Sequence, residues 1–289
     1  MLHVVLALLG SAGVASAAHQ HGVELYKQQK YSEAITVLQD AVKSEKPGSS
    51  DYQESMLFIG QSYFMLSQAP KAIPWLEKVT NVNEANYMLG YAYLQANQEG
   101  ESEAAFARLF SLKADSAAAH LIAGQMMLKR EYESQAVNEV RKALALDPHI
   151  PEANFLLGEI SIFRGRLDEA TQALQEELRL NPNFSMAWYR LGDVYSRQEK
   201  WDLAIPNLQR AAWLNPDFSG PFILLGKCYF KTGNYTNAEG ILRSALKLDP
   251  NNLSATYLLG QTLMLAGKQE EGRAVLERWK ALNEKQSAP

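Results

Sequence analysis

The sequence predicts an all-α fold, a solenoid built from stacked antiparallel pairs of helices. The first observation is a Leu-Gly pair that recurs at a constant interval, at Leu157-Gly158, Leu191-Gly192, Leu225-Gly226 and Leu259-Gly260. The second is an Asp-Pro or Asn-Pro pair at the same interval, at Asp147-Pro148, Asn181-Pro182, Asn215-Pro216 and Asp249-Pro250. Residue types that recur in register at one interval indicate an array of repeats, each of which shares a core with its neighbours.

Each repeat is expected to contain two amphipathic helices. Trp188, Leu191 and Tyr195 are spaced as one face of a helix. Ala204 and Leu208 continue such a face after a polar break. The proline ends the second helix, because it lacks an amide N–H and disfavours helix in the residue before it. Each repeat is therefore a helix A, a tight turn, a helix B and a turn marked by proline.

The recurring glycine predicts close packing between helix A and helix B. Glycine inside a helix costs about 1 kcal/mol relative to alanine, so its recurrence needs a compensating reason. Alanine follows six of the recurring glycines at a constant distance, at Ala34, Ala72, Ala136, Ala170, Ala204 and Ala238. A bare Cα on one helix and a single methyl group on the other allow the two helices to approach closely.

The repeat resembles the tetratricopeptide repeat (TPR). The residues that carry this resemblance are Trp188, Leu191, Gly192, Tyr195, Ala204, Leu208, Ala211 and Pro216. The resemblance implies a right-handed superhelical solenoid of eight repeats, which start near residues 15, 53, 83, 117, 151, 185, 219 and 253. We therefore expect one solenoid over residues 18–284, with no separate domain boundary, followed by a short polar tail at residues 285–289.

Departures from the pattern fall mainly in the first three repeats. An enlarged, flexible loop is expected at Lys43–Asp51, which contains a Pro-Gly-Ser-Ser run. The second repeat stops short near Val79, and Ser102 replaces the recurring alanine of the third. In the last repeat Gly272 stands at that position. We expect looser packing or an altered curvature in repeats 1–3.

The resemblance implies that the A helices line a concave groove for a bound protein segment. Transferred by register, the groove positions of the family give the set Leu57, Tyr87, Tyr91, Leu121, Gln125, Phe155, Glu159, Tyr189, Arg190, Asp193, Arg197, Ile223, Lys227, Lys231, Tyr257 and Gln261. The thirteenth position of helix A adds residues such as Phe163. The alternative is that the tyrosines at the fifth position pack partly against the neighbouring repeat.

These positions predict a non-catalytic scaffold or adaptor that binds a peptide or protein segment and needs no cofactor. Desolvated aromatic residues typically dominate such interfaces. One alternative is a carbohydrate- or polymer-binding groove, in which Tyr87, Tyr91, Phe155 and Tyr189 would stack on sugar rings. Another is a regulatory subunit of an enzyme complex whose catalytic site lies on a partner.

A basic pocket is predicted on the A helices of repeats 6 and 7. Arg190, Arg197, Lys227 and Lys231 would present it, with Asp193 nearby. Cationic side chains of this kind suit a carboxylate or an acidic peptide. The alternative is an ordinary solvated helix face.

Composition argues against several other classes of function. With a formal charge of −4 and a pI near 5.8, the chain lacks the basic excess that is typical of a nucleic-acid binder.

The single cysteine and the histidines do not predict a chemical site. Cys228 is the only cysteine, so it cannot form an internal disulfide, and we expect it to be a buried small residue. His19 and His21 point in different directions on a helix, so no metal site is expected there. His120 is expected to be packed or partly exposed, and no catalytic site is expected.

Residues 1–17 are predicted to be a secretory signal peptide. Val4–Leu9 is apolar, and Ala15-Ser16-Ala17 fits the small-residue pattern of a cleavage site. The alternative is that this segment forms the first helix of the array. Cleavage would place the protein in the periplasm or outside a bacterium, whereas an intact chain would be cytoplasmic. No later segment is a long enough uninterrupted apolar run, so no membrane span is expected in the mature chain.

Overall fold

A computed structural model of the protein describes residues 16–287, and throughout that range the regular elements are helices. The predicted all-α fold of paired helices is confirmed. The chain divides into two compact units, residues 1–148 and residues 149–289, although the sequence predicts one array without a domain boundary. Each unit contains four consecutive helix pairs within the described residues.

The first unit holds the helices of repeats 1–4. Its A helices are α1 (Ala17–Lys27), α3 (Ser50–Met65), α5 (Asn83–Gln95) and α7 (Ala117–Leu128). Its B helices are α2 (Tyr31–Ser44), α4 (Ala69–Leu76), α6 (Glu99–Leu109) and α8 (Glu133–Leu146). A 3₁₀ turn, Glu77–Val79, follows α4, which agrees with the early end of the second repeat in the sequence.

The second unit holds the helices of repeats 5–8. Its A helices are α9 (Ala153–Phe163), α11 (Ser185–Arg197), α13 (Ser219–Lys231) and α15 (Leu253–Leu265). Its B helices are α10 (Leu167–Leu180), α12 (Trp201–Leu214), α14 (Tyr235–Leu248) and α16 (Gln269–Ser287). Because α16 continues to Ser287, the segment expected to be a polar tail begins as helix.

The repeated glycine lies where helices A and B touch. At each of the eight recurring glycines, an added Cβ would collide with the side chain at one fixed position on helix B of the same repeat. At Gly192 that Cβ would lie 2.6 Å from Cγ of Leu208, which is fully buried. The packing reason inferred from the recurrence of glycine is therefore confirmed. The glycines of repeats 1–3 are as closely approached as the later ones, so the expectation of looser packing is wrong at these sites.

A hydrogen bond explains how repeat 3 accommodates serine in place of alanine. The Ser102 hydroxyl is buried on α6 and donates to the carbonyl oxygen of Gly90 on α5, at 2.8 Å. A buried hydroxyl without a partner would cost roughly 1–3 kcal/mol. The bond lets serine occupy the small-residue position without separating the two helices.

The connection predicted as an enlarged loop is shorter than expected. Helix α2 continues to Ser44, and α3 begins at Ser50. The Ser49 side chain accepts a hydrogen bond from the amide of Tyr52 at 3.2 Å, so it caps the first turn of α3. The additional residues therefore extend α3 at its N-terminus and leave a short connection.

A buried carboxylate orders the first turn of α9. Glu177 on α10 is fully buried, and its two oxygens accept from the amides of Glu152 (3.1 Å) and Phe155 (3.3 Å). Helix N-termini favour negative charge because their first amides lack intrahelical partners. Residue Glu152 itself has a left-handed backbone, with φ of 68°.

Between residues 16 and 287, none of the helices is long and apolar enough to span a membrane.

Candidate functional site

In the first unit, the predicted groove residues differ widely in accessibility. Leu57, Tyr87 and Gln125 are half-buried, whereas Leu121 and Tyr91 are buried. The Tyr91 side chain is 2% exposed, and its hydroxyl donates to the carbonyl oxygen of Met126 at 2.9 Å. The assignment of Tyr91 and Leu121 as accessible groove residues is therefore corrected, because both belong to the core.

Aromatic packing accounts for the position of Tyr91. Its ring packs edge-on against Phe106, with centroids 5.1 Å apart, and against Tyr87 at 5.0 Å. The guanidinium of Arg130 lies 4.9 Å from its centroid. Burial raises the pKa of Tyr91 to about 12. Because Tyr91 is buried, with a cation over its ring and two other rings packed against it, it offers no surface for a sugar.

The first unit also contains a buried polar cluster that sequence reasoning missed. His19 on α1 is buried, with Nδ1 2.8 Å from Oγ of Ser55 and Nε2 3.1 Å from Oε2 of Glu54. Glu45, after α2, lies 3.4 Å from Nδ1 and accepts from the Ser55 hydroxyl at 3.0 Å. The hydrogen bond to Glu54 raises the pKa of His19 and lowers that of Glu54. The available signal was the position of His19 in the register, the fifth of its repeat.

His120 is packed, as the sequence predicts. It is buried on α7, and its Nδ1 lies 2.6 Å from Oε2 of Glu139 on α8. The second oxygen of Glu139 accepts from Nζ of Lys142 at 2.6 Å. The His120–Glu139 contact joins α7 to α8 within one repeat, so it supports the packing of this helix pair. Among the described residues, no group of three or more His, Cys, Asp or Glu side chains is arranged to hold a metal ion.

In repeats 5 and 6, the fifth-position residues are partly packed and partly exposed. Phe155 and Tyr189 are half-buried, and each ring packs on a phenylalanine that precedes the next helix A. Phe155 lies 4.8 Å from Phe184, and Tyr189 lies 5.1 Å edge-on from Phe218. The alternative that the fifth-position tyrosines pack partly against the neighbouring repeat is therefore confirmed for Tyr189, and Phe155 packs in the same way. Their remaining surface is accessible.

In the second unit, the last repeat places a more accessible residue at the fifth position than repeats 5–7 do. Ile223 is half-buried and Tyr257 is exposed, with its ring 5.1 Å from Trp279 of α16. Gln261 donates to the Tyr257 hydroxyl at 2.7 Å. The aromatic ring of Tyr257 is thus held in place and still presents a surface to solvent.

Two of the four cations in the predicted basic pocket form ion pairs with nearby carboxylates. Arg190 lies 2.8 Å from Glu159 of the preceding repeat, and Arg197 lies 2.8 Å from Asp193 on its own helix. Burial raises the pKa of Glu159, while Arg190 opposes that shift. The carboxylates at the ninth position therefore neutralise the arginines of α11, so the prediction of a basic pocket formed by all four cations is wrong. Asp193 is itself buried, so its assignment as an accessible groove residue is also wrong.

The remaining cations lie on α13. Lys227 is half-buried and Lys231 is exposed, one helical turn apart. Neither has an ion pair or a hydrogen bond to another side chain within the described residues.

Cys228, which lies between these two lysines in sequence, is buried as predicted, and burial raises the pKa of its thiol.

In the second unit, two large apolar side chains at the ends of A helices are strongly exposed. Phe163, the last residue of α9, is 83% exposed, and Leu265, the last of α15, is 57% exposed. Both stand at the thirteenth position of their repeats, where α11 has Arg197 and α13 has Lys231. The register includes Phe163, but it does not distinguish the exposed Leu265 from a core leucine.

Four family models match the chain. Three are described as tetratricopeptide repeat, and they match residues 19–86 and 134–183, residues 83–116, and residues 185–218. Together these three match more than half of the 289 residues. The fourth is described as anaphase-promoting complex, cyclosome, subunit 3, and matches residues 221–279. A comparison with curated proteins found no match.

Several solved structures are similar to the chain. MamA from Desulfovibrio magneticus RS-1 is 22% identical with a TM-score of 0.56, over 60% of this chain and 97% of that one. YrrB, described as a TPR protein with an unusual peptide-binding site, is 22% identical with a TM-score of 0.55, over 61% and 91%. A chain of the APC/C Cut9–Hcn1 hetero-tetramer is 18% identical with a TM-score of 0.51, over 85% and 48%. At these identities the likeness shows the fold alone.

Proposed function

Because this chain belongs to the tetratricopeptide repeat family, we propose that it is a non-catalytic scaffold that binds a segment of another protein. We place the binding surface on the A helices of the second unit, in the concave groove that the family implies. Neighbouring helices α9, α11, α13 and α15 contact one another in order, so their faces form one surface. The observation that carries the proposal is the combination, on this surface, of accessible apolar side chains with charged ones.

The physical properties of this surface suit a protein segment better than a sugar. Phe163 and Leu265 are apolar and exposed, and the half-buried Phe155 and Tyr189 lie between packing and solvent. Burial of such side chains on binding contributes roughly 25 cal/mol for each Å² removed from water. The rings of Phe155 and Tyr189 are packed on phenylalanines, and Tyr91 is in the core. Sugar stacking needs parallel, open aromatic faces, and these three residues do not provide them.

Site-specific photocrosslinking tests the location of the binding surface. We expect p-benzoylphenylalanine in place of Phe163 to form a discrete adduct with a partner in native cells after irradiation. The matched control replaces Trp213, which is 70% exposed on α12 and thus on a B helix. Both residues are exposed aromatics, so a difference in crosslinking reports their location. Adducts at residue 213 without any at residue 163 would contradict the assignment to the A helices.

We also propose that the protein is exported after cleavage near Ala17. The support is the apolar segment Val4–Leu9 and the small-residue pattern Ala15-Ser16-Ala17 in the sequence. Residues 1–15 lie outside the described residues. Ser16 accepts a hydrogen bond from the amide of His19 at 3.1 Å, so cleavage after Ala17 would remove the cap of α1.

N-terminal sequencing of the protein from native cells tests this export. We expect the sequence to begin near Ala18 and the protein to be recovered from the periplasmic or secreted fraction. Recovery of a chain that retains Met1 in the cytoplasmic fraction would exclude cleavage.

A further inference from the structure

We propose that the second unit selects a segment with internal acidic side chains, flanked on both sides by apolar residues. This inference rests on the proposed function, because it names the partner chemistry of the same surface. It depends on how charge and apolar surface are distributed along the four A helices, which the sequence register alone does not reveal.

The excess positive charge lies on α13. Among the charged groups of this surface, Arg190 is paired with Glu159, and Arg197 with Asp193, at 2.8 Å in both cases. Lys227 and Lys231 carry the two charges that these pairs leave uncompensated. The two lysines are one turn apart, so both can face the same group on a bound segment. A ligand carboxylate is therefore attracted to α13 and not to α11, whose arginines already have partners.

The apolar side chains lie on both sides of this charge. Leu265 ends the next A helix, α15, while Phe163 ends α9, two A helices in the other direction. Packed helices lie about 9 Å apart, and an extended chain rises about 3.3 Å per residue. An acidic residue over α13 would thus be followed by an apolar residue about three positions away. A second apolar residue would lie about six positions away on the opposite side.

This arrangement favours internal Asp or Glu side chains over a free C-terminal carboxylate. A chain that ended at α13 would contact only one of the two exposed apolar residues and leave the other in water. When a partner covers exposed apolar side chains, apolar surface leaves contact with water and the free energy of the complex is lowered. A segment that passes across α13 covers both Phe163 and Leu265.

Selection from a phage library of random linear peptides against the full chain tests the inference. We expect the enriched peptides to share an acidic pair with apolar residues near three and six positions on its two sides. For a selected peptide with a fluorescein label, replacing the acidic pair by Asn or Gln should weaken binding by about tenfold or more. The combined substitution Lys227→Glu and Lys231→Glu should weaken binding to a similar extent.

The control makes the same change of charge outside the proposed surface. Lys247→Glu with Lys285→Glu alters two exposed lysines in the last turns of α14 and α16, which are B helices. This variant should bind the peptide as the parent chain does, and circular dichroism should show that both variants remain helical. Preserved binding after reversal of Lys227 and Lys231 would overturn the inference.

The remaining outcomes separate the two proposals. If peptides are enriched without an acidic preference, and Phe163→Ser weakens them, the acidic segment is wrong while the binding surface stands. If peptides with a C-terminal acidic residue require their free carboxylate, the internal segment is wrong. If no peptide is enriched, both this inference and the binding of a protein segment lose their support.

Discussion

Gly192→Ala is expected to destabilise the second unit, although alanine is the better helix former. The new Cβ would lie 2.6 Å from Cγ and 2.7 Å from Cδ2 of Leu208, closer than non-bonded carbons approach. Leu208 is fully buried on α12, so it can move only by displacing other core side chains. Overpacking of a tight core costs typically about 1–3 kcal/mol, which exceeds the gain of about 1 kcal/mol in helix propensity.

The same substitution at Gly240 provides the control. Gly240 lies within α14 and is exposed, and an added Cβ would meet no side chain within 4 Å apart from its chain neighbours. Gly240→Ala should therefore stabilise the protein by about 0.5–1 kcal/mol. Thermal and urea unfolding, followed by circular dichroism, measure both changes. If the two variants shift stability in the same direction, close approach at Gly192 is not what selects glycine there.

His19→Ala is expected to lower the free energy of unfolding of the first unit by about 3 kcal/mol near pH 5.5. The substitution removes an imidazole that contacts Glu45, Glu54 and Ser55. Glu45 would then remain largely buried without its cationic partner, and a buried charge that loses its partner is costly. The exposed Glu54 side of the cluster contributes less, because solvent screens it.

The effect should depend on pH in a defined direction. The pKa of His19 is raised above its ordinary value of 6.5, so its contribution is complete below pH 6.5 and is lost as pH rises through the folded value. The pKa of Glu54 is lowered from 4.5, so its contribution is present above pH 4.5 and is lost as pH falls through the folded value. The stability difference between parent and variant should therefore be largest between about pH 4.5 and 6.5.

Urea unfolding across pH 4–9 tests this, with His21→Ala as the matched control. His21 lies on the same helix two residues later and is exposed. Its removal should leave stability nearly unchanged, since surface substitutions usually act within about 0.5 kcal/mol. A His19→Ala penalty that is constant over the whole pH range would show that lost packing, and not charge pairing, explains it.

The sequence predicts the helix pairs and their packing well because small residues are required where helices touch. Gly192 and its equivalents recur for a steric reason, because a Cβ at this position would collide with a helix B side chain in each repeat. Ser102 departs from the pattern, but its hydrogen bond to Gly90 preserves the contact. The extension of α3 was not predicted, because a Pro-Gly-Ser-Ser run is typical of a loop, whereas Ser49 acts here as a helix cap.

The candidate site was predicted less completely, because a register gives a position on a helix and not its surroundings. Tyr91 and Tyr189 both occupy predicted groove positions. Tyr91 is covered by Phe106 and Arg130 and is buried, whereas Tyr189, which packs against Phe218 and Arg190, stays half-buried. Likewise, the sequence places four cations together, but it does not indicate that two of them pair with Glu159 and Asp193.

The sequence by itself therefore determined the all-α fold, the eight helix pairs and the family to which they belong. Those features depend on local periodicity and on small residues that every repeat needs, so they are visible without coordinates. Only the tertiary structure decided which groove residues are accessible, which charges remain uncompensated on α13, and that His19 is buried among carboxylates. Exposure and ion pairing depend on side chains from other helices, and these come together only after the chain has folded.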